Sequence, residues 1–208
     1  NQLGGCLADD MGLGKTLQTL STLVAVQEKL EVEKAENIQL DLFGNEIPVA
    51  KEYLKALIVL PSSLVFNWYN EARKFTPHFR RIQYVGQDRK LLSKKLAKYD
   101  LIFTSYAVVA RDFSILEKYQ FRYLILDESQ YIKNKNSKIF KAINQLQTTH
   151  KISLSGTPIE NSLDDLWSQM QFINPNILGS YAFFAEHYKF PIEKKQDENS
   201  LAELKTLV

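Results

Sequence analysis

A rhythm of short apolar runs, separated by segments with helical spacing, limits what this chain can fold into more than any other feature. The runs are residues 4–8, 56–60 before Pro61, 82–85 before Gly86, 101–104, 123–126 before Asp127, and 152–154 before Ser155. Each has the length of a strand rather than of a helix. From Thr16 onward, Leu17, Leu20, Leu23, Val24 and Leu30 recur at helical spacing, and residues 64–75, 88–99, 137–146 and 163–172 also have helical character. This alternation predicts a mostly parallel sheet covered by helices on both faces, a three-layer α/β domain. Open parallel sheets hold ligands outside the carboxyl ends of their strands, so the turns after these runs are where function is expected. The weakly patterned stretch 31–55, with Gly44-Asn45 and Pro48 as breakers, reads as a surface insertion.

The first of those turns is Asp9-Asp10-Met11-Gly12-Leu13-Gly14-Lys15-Thr16. A nucleoside triphosphate needs backbone N–H groups turned inward around its phosphates. Gly12 and Gly14 permit such a loop. A helix starting near Lys15 aims its positive dipole end at the phosphates. Lys15 reaches the β- and γ-phosphates, and the Thr16 hydroxyl is a ligand for Mg2+. The candidate ATP-binding residues are Asp10, Met11, Gly12, Leu13, Gly14, Lys15, Thr16 and Leu17. The bare P-loop expression begins with glycine, where this chain has Asp9.

A second turn follows the run 123–126, as Asp127-Glu128-Ser129-Gln130. Two adjacent carboxylates at a strand end suit magnesium and water activation. Asp127 anchors the ion, and Glu128 orients or deprotonates the attacking water. Gln130 is placed to bond the γ-phosphate or a neighbouring lobe. The candidate catalytic set is Glu128, Lys15, Asp127 and Gln130, and the candidate metal ligands are Thr16 and Asp127.

The 208 residues, 45% of them hydrophobic, suffice for one large domain. The net charge of +2 carries no basic excess, so any nucleic-acid contact must be local. One cysteine, Cys6, excludes an intrachain disulfide and reads as a small core residue. The apolar runs are too short to cross a bilayer. Arg89-Lys90, Lys94-Lys95 and Lys98 read as a solvated basic helix face, and Trp68 and Trp167 as packing residues. His78, His150 and His187 lack metal-ligand spacing.

Residues 4–19 resemble motif I of the SWI/SNF-type ATPases of helicase superfamily 2, in which an aspartate precedes the glycines. The resemblance continues in order. Residues 57–68 are similar to motif Ia, 102–106 to motif Ib, 127–134 to motif II with its extension, and 153–161 to motif III. Residues 163–174 resemble the helix that follows. Many members, especially eukaryotic ones, have histidine where Gln130 stands, and the glutamine resembles bacterial and archaeal members.

The resemblance implies the first of two RecA-like lobes, over residues 1–192, with a charged tail, 193–208, leading to the second lobe. It implies an ATP- and Mg2+-dependent motor that steps along double-stranded DNA in a cytoplasmic, prokaryotic setting, or a nuclear one in a eukaryote. The body displaced would be a DNA-bound protein or RNA polymerase. By the same likeness, Pro61, Ser62, Ser63, Thr104, Ser105 and Tyr106 touch backbone phosphates, while Ser155, Gly156 and Thr157 couple the nucleotide site to the DNA groove. Ser62 and Ser63 also suit a helix N-cap, and residues 155–158 a turn plus cap. Alternatives are an RNA helicase of the same superfamily, opposed by the glycine-rich motif I and Asn134, and a decayed nucleotide-binding scaffold, opposed by intact Lys15, Thr16, Asp127 and Glu128. An unrelated P-loop kinase is opposed by the order of the five motifs. As a fragment starting at Asn1, the chain is expected to bind nucleotide but hydrolyse it poorly.

Overall fold

The computed structural model describes residues 4–9, 13–36, 54–156 and 162–208, excluding the side chains of 33–36. Its strands are β1 (Gly5–Ala8), β2 (Ala56–Leu60), β3 (Arg81–Gln83), β4 (Leu101–Ser105), β5 (Phe121–Asp127) and β6 (Thr148–Ser155). The helices are α1 (Lys15–Glu36), α2 (Val65–Phe75), α3 (Arg89–Leu92), α4 (Tyr106–Arg111), α5 (Phe113–Leu116), α6 (Lys138–Gln145), α7 (Leu163–Ile173), α8 (Tyr181–Phe184), α9 (Phe190–Lys195) and α10 (Glu198–Leu207). The sheet order is β1-β6-β5-β2-β4-β3, and every pairing is parallel.

Both faces of the central strands are buried, which is why β2 is apolar throughout and β4 is apolar over its first three residues. Successive side chains of a strand point to opposite faces. Leu57 and Val59 therefore enter one core with α4, α6 and α7, whereas Ala56, Ile58 and Leu60 enter the other with α1 and α2. The three-layer α/β expectation holds. Serine hydroxyls cap several helices: Ser105 accepts from the Val108 N–H, Ser137 from Phe140 and Ser162 from Asp165.

Five local readings change. Residues 31–36 continue α1, and only 37–53 of the expected insertion lie outside the described residues. The helix expected over 88–99 is α3 followed by a 3-10 segment, Ser93–Lys98. There the Ser93 hydroxyl donates to the Lys90 carbonyl and competes with the helical ladder. Arg89 is not on a solvated face. It is 7% exposed and ion-paired with Asp112. Cys6 is exposed rather than in the core, because β1 is an edge strand. In the tail, charged residues 193–195 are exposed as expected, but their backbone is helical, and Leu204 of α10 joins the core.

Candidate nucleotide and nucleic-acid site

Parallel register lines the chemistry along one edge of the sheet. Cys6, Ser153, Leu126, Val59 and Thr104 are successive partners across β1, β6, β5, β2 and β4. One residue further along each strand come Leu7, Leu154, Asp127, Leu60 and Ser105. The phosphate loop, the acidic pair, Pro61-Ser62-Ser63 and Tyr106 thus all leave the sheet at its carboxyl edge.

Within the phosphate loop, Asp10, Met11 and Gly12 lie outside the described residues, as does Thr157 of motif III. Gly14 has φ +80°, a left-handed conformation that favours glycine, and it directly precedes α1. Lys15 opens α1 and donates from Nζ to the Asp9 carbonyl at 2.8 Å. Thr16 is half-buried in the first turn, while Leu13 and Leu17 are exposed. The Asp9 N–H donates to the Ser155 carbonyl at 3.3 Å, tying the loop to β6. Ser155 itself is fully buried, and Gly156 is half-buried beside it.

Asp127 ends β5 and is 6% exposed. Its Oδ2 accepts the indole N–H of Trp68 at 2.9 Å, and its Oδ1 accepts the Glu128 backbone N–H at 3.0 Å. The Tyr106 hydroxyl donates to the Asp127 carbonyl at 2.7 Å. Burial raises the Asp127 carboxyl above its ordinary range, opposed by the Trp68 hydrogen bond and the Lys15 charge. A buried carboxylate so poorly compensated fits a divalent cation, and its oxygens are donors that magnesium prefers. Asp127 and Thr16 would hold that ion, placed between the strand end and the first turn of α1.

Glu128 has φ 52° and ψ 56°, a left-handed backbone that costs a non-glycine residue about 1–2 kcal/mol. Its Oε2 accepts from Gln130 Nε2 at 2.7 Å. An acceptor-only carboxylate fixes which way the Gln130 amide points, so Gln130 steers Glu128. Tyr131, half exposed, stacks on Tyr106 with centroids 4.9 Å apart and planes 7° from parallel.

The proposed phosphate-contact residues divide into two kinds. Ser62 and Ser63 are exposed, Pro61 is half-buried, and neither serine caps α2, whose N-cap is Leu64. Thr104, Ser105 and Tyr106 are buried, with their hydroxyls committed to the Tyr84 carbonyl, the α4 cap and the Asp127 carbonyl. Sequence reasoning missed Trp68 as a site residue. Its place at helical spacing between Val65 and Ala72 is the signal of a core residue, and nothing in the sequence marks its N–H as bonded to Asp127. A cavity of about 370 Å3 near Phe79 and Asp100 sits at the amino ends of β3 and β4, away from this chemistry.

The SNF2-related domain family matches residues 1–208. The SWI2/SNF2 ATPase core of Sulfolobus solfataricus in complex with dsDNA superposes with a TM-score of 0.81 and 42% identity, over 99% of this chain and 38% of that one. The TATA-binding protein-associated factor MOT1 of Saccharomyces cerevisiae is 35% identical over 202 residues, 95% of this chain and 10% of its own length. The uncharacterized ATP-dependent helicase MG018 of Mycoplasma genitalium is 34% identical over 206 residues, 98% of this chain and 18% of its own length. This chain therefore spans a minor part of each relative. The parallel sheet superposes on that of the SWI2/SNF2 ATPase core, and the chain belongs to the SNF2-related domain family.

Proposed function

We propose that this chain is the ATP-binding lobe of a motor that hydrolyses ATP to move along double-stranded DNA. The observation that carries the reading is the shared carboxyl edge, where Lys15, Asp127 and Glu128 stand beside the exposed Ser62-Ser63 loop. Lys15 and the α1 N-terminus hold the phosphates. Glu128, steered by Gln130, takes the proton of the attacking water. When bound, magnesium, held by Asp127 and Thr16, would supply positive charge that offsets the charge of the triphosphate. Ser62 and Ser63 grip the DNA backbone through hydroxyls that ignore base identity, as a translocating protein requires.

The burial of Thr104, Ser105 and Tyr106 points to a supporting role behind that contact. Ser155, Gly156 and Thr157 link the phosphate loop to the DNA side, a role supported by the Asp9–Ser155 backbone bond. A second RecA-like lobe completes the ATP site, and a DNA-bound protein or RNA polymerase is the body displaced. No helix among the described residues is long and apolar enough to cross a membrane, and a cytoplasmic setting is proposed.

The test is ATP hydrolysis by the full-length parent protein with no nucleic acid, duplex DNA, single-stranded DNA or duplex RNA, at one fixed salt concentration. Stimulation mainly by duplex DNA supports the reading. Stimulation mainly by RNA favours an RNA helicase, and ATP binding without stimulation favours a scaffold. The 208-residue chain alone should show little DNA-stimulated turnover.

A further inference from the structure

We propose that Trp68 and Tyr106 are positioning residues for Asp127, linking the seating of the DNA-facing segments to the geometry of the nucleotide site. The inference deepens the proposed function and rests on it for the role of DNA.

Two hydrogen-bonded paths end on Asp127. The first starts at the exposed loop: the Leu64 N–H donates to the Pro61 carbonyl at 2.9 Å, and the Trp68 N–H to the Leu64 carbonyl at 3.0 Å. The Trp68 indole then donates to Asp127 Oδ2 at 2.9 Å. One helical turn therefore separates Ser62-Ser63 from the carboxylate's partner. The second path starts at Ser105, which caps α4, and ends with the Tyr106 hydroxyl on the Asp127 carbonyl at 2.7 Å. Trp68 and Tyr106 are 3% and 2% exposed, so both bonds are shielded from bulk water.

The two donors do different work. Trp68 and the Glu128 N–H each hold one carboxylate oxygen, which fixes the rotation of the group. Tyr106 fixes the peptide that leads into the left-handed Glu128. A displacement of the Ser62-Ser63 loop, or of the buried Ser105 end of β4 behind it, must move one of these atoms, because both connecting helices are packed in the core. Partners that orient a metal-ligating carboxylate tune its affinity for the ion.

The experiment uses the full-length parent protein and its Trp68→Phe, Tyr106→Phe and double variants, which keep the rings and delete the donors. Melting temperature, ATP affinity in EDTA, ATP affinity against Mg2+ concentration, and hydrolysis with and without duplex DNA are measured. The expected result for Trp68→Phe is on the order of a 10-fold rise in the Mg2+ needed for ATP binding. Its ATP affinity in EDTA should be unchanged, and its ratio of DNA-stimulated to basal turnover lower. Tyr106→Phe should lower the same ratio, and the double variant should lower it by less than the two single effects combined.

A wild-type Mg2+ requirement in Trp68→Phe overturns the positioning role. So does a loss of ATP affinity that is equal with and without Mg2+ and tracks the melting temperature. Wild-type DNA stimulation in all variants overturns the link. If the unaltered parent is not stimulated by DNA, the translocase reading fails and takes the link with it, while the Mg2+ comparison still decides the positioning role.

Discussion

The side-chain amide of Gln130 donates to the carboxylate of Glu128 at 2.7 Å, while Glu128 itself holds a left-handed backbone at φ 52°. A residue held in a strained conformation, with its side chain tethered by a neighbour two positions on, is preorganised rather than free.

Replacing Glu128 by Gln in the parent protein should leave ATP binding intact and lower turnover by about 10^2 to 10^4, the usual worth of a positioned base. Gln130→Ala should lower turnover less, since it frees Glu128 without removing it. Single-turnover hydrolysis beside equilibrium ATP binding checks both. Near-normal turnover in Glu128→Gln would assign the water to another residue.

Lys15→Ala should abolish ATP binding without unfolding the chain. Lys15 bonds the Asp9 carbonyl and is only half-buried, so its loss opens no cavity in the core, although it removes one charge that favours the Asp127 carboxylate. Calorimetric titration with Mg-ATP and a melting curve are the checks. Equal affinities would overturn the phosphate-loop assignment.

Gly14→Ala should weaken ATP binding by forcing a side chain into φ +80°, at about 1–2 kcal/mol. Gly4→Ala should instead destabilise the fold with no direct effect on the nucleotide site. A Cβ there would meet the Ile173 carbonyl oxygen at 2.5 Å and the Lys151 carbonyl oxygen at 2.8 Å, both backbone atoms. Overpacking of that kind costs roughly 1–3 kcal/mol, which denaturant melts would read.

Arg89→Ala should be among the most damaging substitutions outside the site. Its guanidinium bonds Asp112 at 2.6 and 3.0 Å, and the Tyr84 hydroxyl adds a third bond at 3.1 Å. Removing one partner of a buried pair costs about 3–5 kcal/mol, because the other charge is left uncompensated. The Arg89 hydrogen bonds hold the Asp112 carboxyl below its ordinary range. A depressed folded-state pKa stabilises the protein above the unfolded value, and that stability is lost as pH falls through the folded one. Acid melts should therefore show a steeper decline below about pH 4 in wild type than in Asp112→Asn, which starts less stable. Parallel acid limbs would exclude Asp112 as the source.

The sequence alone determined the layer architecture, since apolar runs buried on both faces can only be central strands of a covered parallel sheet. It also marked the candidate phosphate loop and the acidic pair, because glycine spacing and adjacent carboxylates are local chemistry. What it could not determine were the partners of side chains distant along the chain. Trp68 looks like packing until β5 brings Asp127 to its N–H, and Arg89 looks solvated until Asp112 arrives beneath it. Thr104, Ser105 and Tyr106 have hydroxyls suited to phosphate, yet register places them behind the edge, where backbone carbonyls and a helix end claim them. Residue types and spacing are written in sequence, whereas which buried donor meets which acceptor is decided by the sheet order and register that bring them together.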